Sequence, residues 1–140
     1  MKEFYSDKVA KVYFDPETDC LYLQYLSQVP NDDSFIKINS AVLSAFRSLQ
    51  TQNFVADIRK MGIISLKSQQ WVVDQLLPGM FAHLNGKKLY HAQLLDPKEI
   101  LAKVSGNNIK QKSTSVSDKM EMEQFSNEAD LRRALLARLA

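Results

Sequence analysis

The sequence predicts an α/β fold, a mixed sheet that begins as an antiparallel hairpin and continues in parallel strands with helices packed on it. Three observations predict it. The stretch "KVYFDPETDCLYLQYL" alternates apolar and polar residues on both sides of a turn, as the arms of a hairpin do. Two later apolar runs of strand length, Phe54 to Ile58 and "KLYHAQLL", are each followed by a helix start. A last alternating run, "MEMEQF", again precedes a helical pattern. Strands that alternate with helices imply parallel pairing, because each crossover returns the chain to the same end of the sheet.

Taken in order, the second hairpin arm places Leu21, Leu23 and Tyr25 on one face and Tyr22, Gln24 and Leu26 on the other. Both faces are apolar enough to predict cover on both sides. A helix starts at Asp32 or Asp33, whose carboxylates accept from free first-turn N–H groups, and Phe35, Ile38, Val42, Phe46 and Leu49 form its inner stripe. The strand Phe54 to Ile58 is apolar apart from Asp57. Ser65 then caps a second helix with Val73, Leu76, Leu77, Met80 and Leu84 inside, which Pro78 and Gly79 are expected to divide into two pieces. After "KLYHAQLL", the segment "DPKEI" has Asp96 as cap, Pro97 at the first helical position and Glu99 three residues after the cap. "KQKSTSVSDK" has no apolar period and reads as an exposed loop. Ser126 or Asn127 caps a final helix with Leu131, Leu135 and Leu139 buried and Arg132, Arg133 and Arg138 outward.

Length and composition bound the functions. A chain of 140 residues, 45% hydrophobic, suits one domain, residues 1–140, with a core that needs no staples. The single cysteine, Cys20, excludes an internal disulfide and a thiolate zinc site. No apolar run approaches the roughly 20 residues of a membrane span, and the scattered charges of "MKEFYSDKVAKVYF" do not make a signal peptide. A cytoplasmic protein is expected. Eighteen basic and 16 acidic residues are interspersed, so nothing points to nucleic acid. His83 and His91 lack partners at metal-ligand spacing, and no cofactor motif is present. His91 reads as a structural, hydrogen-bonded histidine, and Cys20 as a small buried residue.

The opening hairpin, the strand ending "ADIRK", the turn "MGIIS" into "LKSQQWVVDQLLPGMF" and the capped "KLYHAQLLDPKEI" together resemble small bacterial STAS, or SpoIIAA-like, proteins. These are related to anti-sigma-factor antagonists and more distantly to CRAL-TRIO lipid-transfer domains. The resemblance spans nearly the whole chain. It implies a SpoIIAA-like mixed sheet and a phosphorylatable Ser or Thr between a central strand and the following helix. By position that residue is Ser65, although "IISL" lacks the acidic neighbour and the glycine of the family's Asp-Ser-Ser-Gly-like turn. A hydroxyl there caps a helix, and a phosphate there gains from the exposed N–H groups and the helix dipole.

Open sheets bind ligands beyond the carboxyl ends of their parallel strands. Asp57, Arg59, Lys60 and Ser65 follow one such end, and Asp96 and Lys98 follow another; together they form a candidate site for a small polar or phosphorylated ligand. Capping, loop hydrogen bonds and solvation account for the same residues without a ligand. Trp71, Pro78, Met80 and Phe81 form a candidate interaction surface. With no catalytic constellation, the expected function is a non-enzymatic regulatory or protein-interaction module. A small-ligand or lipid-binding domain is the alternative, and an enzyme built on Asp57, His91 and Ser65 the third class. A hairpin with two apolar faces at a sheet edge also predicts a homodimer that covers it.

Overall fold

The computed structural model describes residues 1–97 and 118–139. Its elements are β1 (Lys2–Ser6), β2 (Ala10–Asp15), β3 (Cys20–Tyr25), α1 (Asp32–Arg47), β4 (Asn53–Asp57), α2 (Leu66–Trp71), a π turn (Val72–Leu76), α3 (Leu77–Leu84), β5 (Leu89–Leu94), β6 (Met120–Phe125) and α4 (Glu128–Arg138). The strands form one six-stranded sheet in the order β1-β2-β3-β4-β5-β6. The first three are antiparallel, and β3 to β6 are parallel. This is the mixed α/β sheet that the alternation of strands and helices predicts.

One strand was not legible. In β1 the register shifts between Glu3 and Tyr5, and the bulge lets the consecutive Phe4 and Tyr5 both pack on the same core. A bulge breaks the period of two on which strand reading depends. Its consequence is that β1 pairs with β2, so the hairpin β2–β3 is not at the sheet edge. A homodimer built on an open hairpin loses its premise, because β1 of the same chain supplies the cover.

Parallel strands that follow one another in a single direction put successive right-handed crossovers on one face. On that face Ala10, Val12, Leu21, Leu23, Phe54, Ala56 and Leu89 meet Phe35, Ile38, Val42 and Phe46 of α1 and Leu76, Leu77, Met80 and Leu84 of the following helix. The opposite face holds a smaller cluster, where Cys20, Val55, Tyr90, Ala92 and Leu94 pack against Leu131 and Leu135 of α4. Hence β3, β4 and β5 carry apolar residues on both faces.

Several details differ from the sequence reading. The cap of α1 is Asn31, whose side chain accepts from Ser34 N, leaving Asp32 and Asp33 in the first turn. The second helix is divided by a π turn in which the Leu77 N–H reaches Val72 O, immediately before Pro78 rather than at Pro78–Gly79. Pro78 has no N–H to give a carbonyl four residues back, and the widened turn accommodates its ring. Val72, rather than Val73, is the buried residue there. In α4, capped by Asn127, Leu139 is 50% exposed; it stands at the C-cap, past the last turn that meets the sheet. The helix expected from Asp96 and Glu99 and most of the loop around Lys110 to Lys119 fall outside the described residues.

Gly79 lets α1 and α3 approach. A Cβ there would stand 2.8 Å from both terminal methyls of Leu43. Gly79→Val is therefore expected to push the half-buried Leu43 side chain aside and lower stability by about 1 kcal/mol, the low end for overpacking, with Leu43→Ala in the same chain restoring part of the loss in urea unfolding. Equal destabilisation in both backgrounds would refute this contact.

Candidate functional site

The turn from β4 to α2 is built by glycine and hydroxyl chemistry. Gly62 takes a positive φ of 77°, where other side chains are strained, and Val29 N donates to Met61 O across the base of the turn. Ser65 caps α2: its Oγ accepts from Ser68 N at 3.0 Å, as the hydroxyl at this position predicts. The same Oγ donates to the carboxylate of Asp32, and Ser68 Oγ donates to that carboxylate at 2.6 Å. Ser65 first, then Ser68, holds the Asp32 carboxyl below the usual carboxylate range. Asp32 thus supplies the negative charge that a helix N-terminus favours, and it ties α1 to α2.

Around this tie lies a depression of about 310 Å³ whose lining includes Val29, Pro30, Asp32, Ile63, Ser65 and Ser68. Ile63 is 59% and Leu66 70% exposed, one on each side of the cap. Sequence reading missed Asp32 as the partner of Ser65, since the two are 33 positions apart in the chain.

The ligand candidates divide into two groups. Asp57, Arg59, Lys60 and Asp96 line one cleft of about 270 Å³ with Gln24 and Tyr25. Ser65 is not in it, and Lys98 lies outside the described residues. Within the cleft Arg59 is already engaged. Its Nε donates to Asp57 Oδ1 at 2.9 Å and its terminal nitrogen to Asp57 Oδ2 at 2.7 Å. That nitrogen also reaches Glu128 Oε1, in the first turn of α4, at 2.7 Å. Such a bidentate pair is among the stronger polar contacts a protein makes. It uses the guanidinium as a strut between the end of β4 and α4.

Further along α4, Arg132 donates to Glu17 Oε2 at 2.8 Å. Between these two struts is a groove of about 200 Å³ lined by Tyr13, Asp15, Gln24, Asp57, Glu128 and Arg132 among others. Tyr13 stacks on Tyr22 with ring centroids 5.1 Å apart. Burial, then the charges of Asp57 and Asp15, push the Tyr13 hydroxyl up to about 12. No single-element pattern announces this groove, because its walls come from β2, β3, β4, β5 and α4.

The proposed interaction surface changes in composition. Met80 is fully buried because it faces the sheet, so it cannot belong to a surface. Trp71 and Phe81 are partly buried and pack on the main core, and Pro78 is exposed.

His91 and Ser65 do not meet. His91 is buried against Phe54, with ring centroids 4.9 Å apart and an interplanar angle of 11°, and Nδ1 lies 3.3 Å from Phe54 O. It lines a void of about 30 Å³ between the sheet and the helices, with Tyr25, Asn39 and Gln93 among its neighbours. That is about the room of one water, far below the roughly 300 Å³ at which small-ligand pockets begin. Cys20 is buried, and burial pushes its thiol up. Among the described residues no three His, Cys, Asp or Glu side chains converge at metal-binding distance, and no helix is long and apolar enough to cross a membrane.

Comparison with protein-family models, with curated proteins and with solved structures yields no match.

Proposed function

We propose that this chain is a non-enzymatic interaction module of the STAS type, which engages a protein partner through the turn between β4 and α2. The observation that carries the reading is the pair of exposed apolar side chains, Ile63 and Leu66, held on both sides of a capped and cross-tied serine. Exposed aliphatic residues scattered singly need no explanation. Two of them flanking a rigid turn, beside the depression lined by Val29 and Pro30, form an edge that a partner can bury.

In this reading Ser65 is the regulatory position. A phosphate on its oxygen replaces the hydroxyl proton now given to Asp32 and brings up to two negative charges against that carboxylate. The helix N-terminus favours the phosphate, Asp32 repels it, and the Ser65 half of the α1–α2 tie is lost, leaving Ser68 alone on the Asp32 carboxylate. Phosphorylation would therefore alter the surface that carries Ile63 and Leu66.

A photo-crosslinking residue at position 66, expressed in cells that make the protein, is expected to give one adduct of defined mass. The adduct should be absent when the crosslinker replaces Lys88 and strongly reduced by Ile63→Asp. Labelling no stronger than at position 88 would refute the surface. Peptide mapping of the purified chain tests the switch separately: a phosphate on Ser65 supports it, and a uniformly unmodified Ser65 leaves only the cap.

A further inference from the structure

The turn from α3 to β5 contains the pair Asn85–Gly86, the one asparagine–glycine step in the sequence. Asn85 is the C-cap of α3, with φ 51° and ψ 54°, and its N–H donates to Phe81 O at 3.2 Å. Gly86 follows with φ 95°, and no atom lies within 4 Å of where its Cβ would be. Both residues are exposed.

The other described asparagines have their side chains held. Asn31 accepts from Ser34 N, Asn39 donates to Tyr25 and to Phe35 O, Asn53 donates to Asp19 O, and Asn127 accepts from Asp130 N. No hydrogen bond to a described residue holds the side chain of Asn85. Its carboxamide is free to turn, and its neighbour has no side chain to obstruct an approach from the backbone.

We infer that Asn85–Gly86 is a spontaneous modification site at which the asparagine converts to aspartate and isoaspartate. The backbone nitrogen of Gly86 attacks Cγ of Asn85, and the side-chain amide leaves as ammonia with the proton that the Gly86 nitrogen loses. The resulting succinimide takes up one water and opens at either carbonyl. Opening at one gives aspartate; opening at the other gives isoaspartate, with an extra methylene in the main chain. Attack requires rotation about ψ of Asn85 away from its capped value. The folded protein therefore converts more slowly than the same turn in a free peptide, yet ahead of its other described asparagines.

The site is placed where the product matters. A new carboxylate at Asn85 stands at the C-terminus of α3, where negative charge is unfavourable. Isoaspartate lengthens the turn that leads through Lys87, whose N–H donates to Leu84 O at 3.2 Å, into β5, a strand buried along its whole length. Conversion is expected to lower the unfolding midpoint and to expose an isoaspartyl carboxyl to a methyltransferase that repairs such groups.

The test uses the full chain, incubated in mildly alkaline buffer at body temperature. Peptide mapping then follows each described asparagine, and isoaspartyl methylation with a labelled methyl donor provides a second readout. The expected result is an amide-to-acid mass change that comes first in the peptide holding Asn85, with methyl label on the same peptide. Asn85→Gly, which keeps the left-handed cap, should abolish both there. Unchanged Asn85 in the folded chain, or earlier conversion of another described asparagine, would overturn the site. Conversion with an unchanged unfolding midpoint would overturn the consequence assigned to it.

Discussion

Replacing Arg59 with methionine is expected to destabilise the fold by about 3 kcal/mol, read from urea unfolding. The substitution leaves the Asp57 carboxylate, a residue only 7% exposed, with the backbone N–H of residue 59 as its remaining partner among the described residues. Removing one member of a buried pair costs about 3–5 kcal/mol when the other charge stays behind. The partial exposure of Arg59 moves the expectation to the lower end. Protection from hydrogen exchange should fall first in α4, because Glu128 loses the same donor. Asp57→Asn alone should cost less, and in the double variant the two losses should fail to add, since they share one contact. A guanidinium held free for an anionic ligand would behave differently: its removal would change stability by no more than about 0.5 kcal/mol, as for other surface substitutions. That outcome would restore the cleft at the carboxyl ends of β3 to β5 as a binding site.

A second large effect is expected from acid. Burial, opposed by the bond to Phe54 O, lowers the His91 pKa from 6.5 to about 4. The unfolded chain therefore takes up a proton that the folded chain refuses. The contribution of neutral His91 to stability is complete above about pH 6.5, declines as pH falls, and is lost by about pH 4. Each tenfold difference in proton affinity is worth about 1.4 kcal/mol, so the loss across that window is on the order of 3 kcal/mol. Asp7 and Asp32 are both held below 3.8, so their own contributions are lost as pH falls below this window rather than within it. His91→Phe should retain the stack on Phe54 and remove the slope between pH 6.5 and 4. An unchanged slope in that variant would assign the acid sensitivity to other groups.

The parts of this protein that were legible in the sequence are those that neighbouring residues decide. Ser65, the "DPETD" turn, the final cap at one of Ser126 and Asn127, and the stripe Phe35, Ile38, Val42 and Phe46 each follow from spacing within one or two turns of chain, whereas Leu49, read as part of that stripe, lies past the end of α1. Where the local rule failed, something distant or irregular had intervened. The bulge in β1 put Phe4 and Tyr5 on one core and erased the alternation. The π turn made Val72 rather than Val73 the buried residue. Asn31, Asp32 and Asp33 offer similar capping chemistry in consecutive positions. The hydroxyls of Ser65 and Ser68 engage the carboxylate of Asp32, while Asn31 takes the cap.

The candidate sites divide along the same line. The sequence by itself determined that Asp57 ends a buried strand, that Arg59 and Lys60 follow it, and that Ser65 begins a helix. Only the tertiary structure decided that Arg59 is bound to Glu128, 69 positions away, that Ser65 belongs with Asp32 rather than with Asp57, and that Met80 faces the sheet while Ile63 and Leu66 face outward. The physical reason is the range of the forces concerned. Capping and periodic burial act over about four residues, whereas the partner of a charged or hydroxyl side chain is set by which strands lie adjacent, and that order exists only once the sheet has formed.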